Sequence, residues 1–195
     1  QASELTMQLE EHGAECLEYS TIHIEPVDDY TLLDQAIDRM GDYQWVLFTS
    51  LNAVSYFFQR LALLGLDSRH LAGPKIAAVG KATAEELLRY GIRVDLIPEK
   101  YTGEALAEAL VQSQVAGSRI LLPRALKAGD LLPETLTDAG ATVTVAPVYR
   151  NVPPQGRKEE LREQLESGTV DLVTFTSSST VTNFLTMLDA RDQNE

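Results

Sequence analysis

What most constrains this chain is the rhythm of its apolar runs. Short stretches rich in Val, Ile and Leu recur without polar alternation, separated by segments whose apolar positions have helical spacing. A strand covered on one face alternates between apolar and polar residues, whereas one covered on both faces does not. The stretches that read as strands are Glu15–Tyr19, Trp45–Phe48, Lys75–Val79, Arg93–Ile97, Arg119–Leu122, Thr142–Val145 and Leu172–Phe175. Helices are expected between them, including Ala53–Leu64, Ala84–Arg89, Gly103–Gln112, Leu131–Asp138 and Lys158–Leu165, and the opening QASELTMQLEEHG reads as an amphipathic helix. Alternating β and α elements predict an α/β fold with doubly wound parallel sheets, of flavodoxin-like or Rossmann-like kind.

Two segments break that rhythm, TIHIEPVDDY at 21–30 and VAPVYRNVPP at 145–154. Both are extended, contain proline and are too short for a βα unit. They read either as surface loops or as two strands paired in a linker. An internal repeat favours the linker. VLFTSLNAVSYF (Val46–Phe57) and VTFTSSSTVTNF (Val173–Phe184) share Val, Phe, Thr, Ser, Val and Phe in register without a gap. Each copy is a buried strand, a Thr-Ser turn and a helix start. One copy on each side of the extended segments predicts two related domains, 1–20 with 155–195 and 31–144, joined by a two-stranded β-ladder at 21–30 and 145–154. The chain opens on a helix and ends just after one, so pieces are expected to be missing at both ends.

The net charge is −13, which argues against a nucleic-acid partner, since that would need a basic face. An anionic ligand would meet an opposing field, so its binding must rely on local donors. No apolar run approaches the length that crosses a bilayer, and no membrane partner is expected. The single Cys16 excludes an internal disulfide framework. A reducing, cytoplasmic location and a monomer are expected.

In open α/β sheets ligands bind beyond the carboxyl ends of the strands. The residues found there are Thr49, Ser50 and Asn52; Lys81 and Thr83; Tyr101 and Thr102; Arg124; and Thr176, Ser177, Ser178 and Ser179. Most are hydroxyl residues at helix starts, where unpaired N–H groups and a partial positive charge make anion sites without net charge. Each is also an ordinary N-cap candidate. Thr83 with Glu86 has capping-box spacing, Arg124 suits a surface ion pair, and Tyr149 suits packing within a linker. His12, His23 and His70 show no metal-ligand spacing, and there is no phosphate-binding G-x-x-x-x-G-K-S/T, no G-x-G-x-x-G and no G-x-S-x-G. No cofactor and no metal are expected.

The ordered set VLFTSLNAVSYF, IAAVGKATAEELLRYGI, YTGEALAEAL, RILLPRALKAGDLLPETLTDAGATVTVAPVYRNVP and DLVTFTSSSTVTNF resembles the uroporphyrinogen-III synthase family. The order of VGKATA, YTGEAL, LLPR and VYR is the specific part. The resemblance implies two α/β domains joined by a two-stranded ladder, with the site in the cleft. It also implies a substrate, the linear tetrapyrrole hydroxymethylbilane with its many carboxylates, which would lose water and close with its last pyrrole inverted through a spiro intermediate. Tyr149 would assist loss of hydroxide, and Ser50, Thr83, Thr102, Ser177 and Ser178 would match donors to substrate carboxylates. Three features depart from the family. Asn52 stands where some members have Arg. The opening strand with its Arg-containing turn has no counterpart, nor does the final G-P-x-T-A turn. Two further readings are a non-catalytic two-domain protein that binds a small anion, and a flavodoxin-like signalling module. The latter should carry a phosphoacceptor Asp at a strand end, which this sequence lacks.

Overall fold

The structure, a computed structural model, describes residues 2–152, 158–175 and 178–189. Its elements are α1 (Ala2–Glu11), β1 (His23–Pro26), α2 (Thr31–Asp38), β2 (Trp45–Phe48), α3 (Leu51–Leu63), β3 (Lys75–Ala78), α4 (Lys81–Arg89), α5 (Gly103–Gln112), β4 (Arg119–Ala125), α6 (Leu131–Asp138), β5 (Thr142–Val152), α7 (Lys158–Glu166) and α8 (Ser178–Asp189). The fold is mixed α/β with a mainly parallel sheet. The chain divides into two compact units, Glu25–Arg150 and Gln1–Ile24 with Asn151–Glu195.

In the unit Glu25–Arg150, β3, β2, β4 and β5 run parallel side by side, within a sheet ordered β1-β5-β4-β2-β3. Leu96 adds a single parallel bridge on the far side of β3, to Ala77. Counted from β2 in chain order, these parallel segments lie 3-2-1-4-5 across the sheet. The order reverses between β2 and β4, and in open α/β sheets ligands bind outside the carboxyl ends of the strands at such a reversal.

The apolar runs are continuous because both faces of the sheet are covered. All four residues of β2 are buried. Trp45 and Leu47 join a core with Leu106, Ala107 and Leu110 of α5 and Leu132 and Leu136 of α6. The pleat sends Val46 and Phe48 to the other face. There Phe48 meets Phe57 of α3 edge to face, with centroids 5.4 Å apart. A fully buried side chain of this size contributes about 1.5–3 kcal/mol, so β2 and its two helix layers hold this unit together.

Three expected strands differ. Glu15–Tyr19 and Leu172–Phe175 form no strand, and Arg93–Ile97 contributes only the Leu96 bridge. Strand propensity reports how well side chains suit a pleated, half-buried surface, and it is realised only beside a neighbour. Leu172 is 74% exposed, so nothing covers it as a sheet would. The helix α2 went unrecognised in the sequence, although Leu33, Ala36 and Ile37 form a buried stripe at helical spacing. The strand expected at Thr142–Val145 runs on through the extended segment as one 11-residue strand, with β1 beside it. Among the described residues, no helix is long and apolar enough to cross a membrane.

Candidate functional site at the carboxyl end of the sheet

Ser50 ends the turn after β2 and caps α3, where its Oγ accepts the Ala53 N–H at 3.0 Å. The cap extends α3 two residues earlier than expected, to Leu51. The same Oγ lies 3.2 Å from the Tyr149 hydroxyl. Tyr149 stands on β5 opposite Ala125, the last residue of β4. Its side chain is 8% exposed. Its ring stacks on Tyr56 of α3, with centroids 5.8 Å apart and planes 22° from parallel.

That orientation depends on a fault in the ladder. Arg124 pairs with Pro147 but Ala125 pairs with Tyr149, so Val148 is an extra residue. Val143 and Val145 pack into the core formed with α5 and α6. Unbroken alternation would send Tyr149 to that same side. The bulge turns it instead onto the α3 face, where Tyr56 and Ser50 receive it. Bulges commonly re-aim a side chain in this way.

A second group lies beyond β3. The sequence suggests Thr83 as a cap with Glu86 as its reciprocal partner, and the structure corrects this. Gly80 is the N-cap, with extended backbone (φ −167°, ψ 175°) and no side-chain bond, and its carbonyl accepts the Ala84 N–H at 3.1 Å. The helix therefore starts at Lys81, Thr83 falls inside its first turn and is buried, and Glu86 pairs with Arg89 at 3.2 Å. Gly80 leaves room for a close neighbour, since a Cβ there would meet Tyr101 Cγ at 3.0 Å, tighter than an ordinary contact. Tyr101, half exposed, thus lies over the start of α4, while Lys81 is exposed. Thr102 caps α5, accepting the Ala105 N–H at 3.2 Å.

Arg124 is buried, and its guanidinium serves the loop that follows it. Nη1 donates to the Gly129 carbonyl at 2.7 Å, and Nη2 to the Ala128 carbonyl at 3.3 Å and to Asp130 at 2.7 Å. Its Nε, also buried, has no partner among the described residues. Thr49 and Asn52 flank Ser50 and are half-buried. Thr176 and Ser177 lie outside the described residues, as do the side chains of Ser178 and Ser179, whose backbone opens α8. Among the described residues, no group of three or more His, Cys, Asp and Glu could hold a metal ion.

Sequence reasoning missed Tyr56 and the bulge. Tyr56 was legible as a residue on the α3 face between Phe57's strand contact and the Ser50 turn. A bulge at Val148 leaves no mark in the sequence.

The arrangement supplies N–H donors at three helix starts and one phenol held over the end of β4. The family model described as Uroporphyrinogen-III synthase HemD matches residues 3–195. A uroporphyrinogen-III synthase of Synechococcus elongatus is 34% identical over 189 residues, 96% of this chain and 71% of that protein. The porphyrin biosynthesis protein HemD of Ruminiclostridium josui is 31% identical over 181 residues, and the chain covers 36% of its length. A crystal structure of a mutant uroporphyrinogen III synthase from Thermus thermophilus superposes with a TM-score of 0.67 at 21% identity, covering 94% of this chain and 72% of that one. At that identity the likeness establishes the fold.

Proposed function

The chain belongs to the uroporphyrinogen-III synthase family, and from that premise we propose that it closes hydroxymethylbilane into uroporphyrinogen III, inverting the last pyrrole ring and releasing water. The non-catalytic anion-binding alternative gains no support from its relatives. We place the reacting end of the substrate over the carboxyl ends of β2, β4 and β5. The observation that carries this placement is the 3.2 Å contact between Tyr149 and Ser50, made across the end of β4.

Tyr149 acts there as the acid. Its phenol donates to the hydroxymethyl oxygen as the C–O bond breaks, so that oxygen leaves as water and an azafulvene cation remains. The far pyrrole attacks through its substituted carbon. The resulting spiro intermediate opens, the ring turns over, and closure at the other carbon expels the proton that restores Tyr149. For the phenol proton to face the substrate, the Ser50 hydroxyl must donate to the Tyr149 oxygen. Ser50 can do so, because its cap bond to Ala53 uses an acceptor lone pair and leaves its one proton free. Positioning of the flexible chain supplies much of the remaining effect.

The substrate carboxylates meet hydrogen-bond donors at helix starts more than fixed charge. Thr49, Ser50 and Asn52, Lys81 and Thr83, Tyr101 and Thr102, Arg124, and Thr176, Ser177, Ser178 and Ser179 are the residues we assign to them. Helix N-termini suit this task in a chain of net charge −13. The two compact units support a reading as two domains, 1–20 with 155–195 and 31–144, with 21–30 and 145–154 as the linker. The same proposal makes the protein a monomeric cytoplasmic enzyme without a nucleic-acid partner.

Incubation with hydroxymethylbilane, scoring type III against type I product, tests the activity. Tyr149→Phe tests the acid. General acid help is worth about 10²–10⁴-fold, so kcat should fall by that order. The melting temperature should barely move, because the ring and its stack on Tyr56 remain and one hydrogen bond is worth about 1 kcal/mol. Full activity in Tyr149→Phe, after subtraction of spontaneous type I closure, would make Tyr149 a packing residue.

A further inference from the structure

We infer that Tyr30 is a positioning residue for Tyr149, holding in place the bulge that turns it toward Ser50. This rests on the acid role proposed for Tyr149. Tyr30 is the residue just before α2, and its hydroxyl donates to the Val148 carbonyl at 3.1 Å. Val148 is the residue that the ladder skips, and it is fully buried. A bulge disrupts the regular ladder around the extra residue, and a buried carbonyl without a donor is costly. Tyr30 supplies a donor to that carbonyl from 118 positions away in the chain.

Tyr30 is itself held from the helix that receives Tyr149. The Arg60 guanidinium lies 4.6 Å from the centre of its ring. Arg60 donates to both oxygens of Asp34 on α2, at 2.8 and 2.5 Å, which fixes the guanidinium plane. Tyr56 and Arg60 are four apart on α3 and so share one face. That face stacks on Tyr149 through one residue and on Tyr30 through the other. Burial raises the Tyr30 phenol above its ordinary pKa, with the nearby Arg60 charge acting in the opposite direction, so the hydroxyl keeps its proton and remains a donor across the working range of an enzyme. The Tyr30 ring, the Val148 carbonyl and the Tyr149 ring thus form one connected support that the reaction chemistry itself does not require.

A displacement of about 1 Å in a catalytic group can cost on the order of a hundredfold in rate. Tyr30→Phe keeps the ring and its cation contact but removes the donor. In otherwise intact protein kcat should fall roughly ten- to a hundredfold with KM within about twofold, because the donors for the carboxylates stay in place. The decisive reading comes from the double variant. In a Tyr149→Phe background, Tyr30→Phe should cost nothing further, since there is no acid left to aim. Amide exchange at Val148–Arg150 should quicken in Tyr30→Phe while the rest of β5 stays protected. An equal fold-loss in both backgrounds would show a general structural role and overturn the inference. So would wild-type kcat in Tyr30→Phe while Tyr149→Phe is impaired, which leaves the acid role standing. Full activity in Tyr149→Phe would remove the acid role and this inference together.

Discussion

The two copies of the strand–Thr-Ser–helix repeat begin from nearly the same residues and end in different surroundings. In the first, Phe48 closes a strand paired on both sides and meets Phe57 of the next helix edge to face, at 5.4 Å. In the second, Phe175 meets Phe184 in the same way, at 5.2 Å and 75° between planes, yet Leu172–Phe175 forms no strand. The pairing of the last strand residue with the helix is therefore local, encoded in the twelve-residue motif and reproduced wherever the motif occurs. The ladder is not local. Val46 is bonded into a sheet because Ile76 and Leu121 flank it. Val173 has no such flanks among the described residues. What the motif specifies is a strand end and a helix start; what makes it a sheet is the rest of the unit.

The largest expected effect tests that contrast directly. Phe48 is fully buried and Phe175 is 39% exposed, although both make the same aromatic contact. Phe48→Ala should cost about 3–5 kcal/mol, the usual range for deleting a core phenylalanine. Phe175→Ala removes a ring that is partly in water already, and should cost about 1 kcal/mol or less beyond its aromatic pairing. Urea denaturation of both variants measures the difference. Equal losses would mean that the second copy is as well covered as the first, and that its missing ladder matters little to stability.

The same distinction between local and distant constraints explains what could be seen in the sequence. α5 and α6 match their expected bounds, Gly103–Gln112 and Leu131–Asp138, because a cap at Thr102 and apolar spacing set them from within. The both-faces-buried character of β2, β3 and β4 was legible for the same reason, as was the row of hydroxyl residues at helix starts. The start of α4 was misplaced because its N-cap is Gly80, which has no side chain to bond the first turn and so carries none of the usual side-chain capping signals. Tyr149 was singled out by the family resemblance, through the VYR of its segment. Its orientation was not, since that depends on a one-residue slip against β4 and on a hydroxyl from Tyr30. The candidate site is therefore proposed in the sequence as a set of residue types, and its geometry is unreadable there.

Two caps sharpen the comparison at intermediate scale. Ser50 and Thr102 each accept one N–H at the start of a helix, from Ala53 at 3.0 Å and from Ala105 at 3.2 Å. As caps they are equivalent, and replacement of either by Ala should cost about 1 kcal/mol. Only Ser50 also touches Tyr149. Ser50→Ala should therefore lower kcat as well as stability, whereas Thr102→Ala should lower stability and raise KM, with kcat little changed. If both variants show the same kinetic pattern, the Ser50 contact contributes no more to the chemistry than any other cap.

The smallest effect belongs to a contact that needs no distant neighbour at all. Asp67 stands before the short turn Ser68–Leu71, where it accepts the Arg69 N–H at 3.0 Å and pairs with the Arg69 guanidinium at 2.8 Å. Bonding to the Arg69 side chain, then to its backbone N–H, lowers the Asp67 pKa from its ordinary value of 3.8. A carboxyl with a lowered folded-state pKa stabilises the fold above its unfolded value, and that contribution is lost as pH falls through the folded one. Asp67 should therefore help at neutral pH and cease to help in the window below pH 3.8. Both partners are largely exposed, so the effect should be small and further reduced by salt. Asp67→Asn keeps an acceptor for the Arg69 N–H but removes the charge. Its urea midpoint should lie slightly below that of the parent at pH 7, and the gap should narrow as pH falls below 3.8. A gap that widens as pH falls below 3.8 would contradict the lowered pKa.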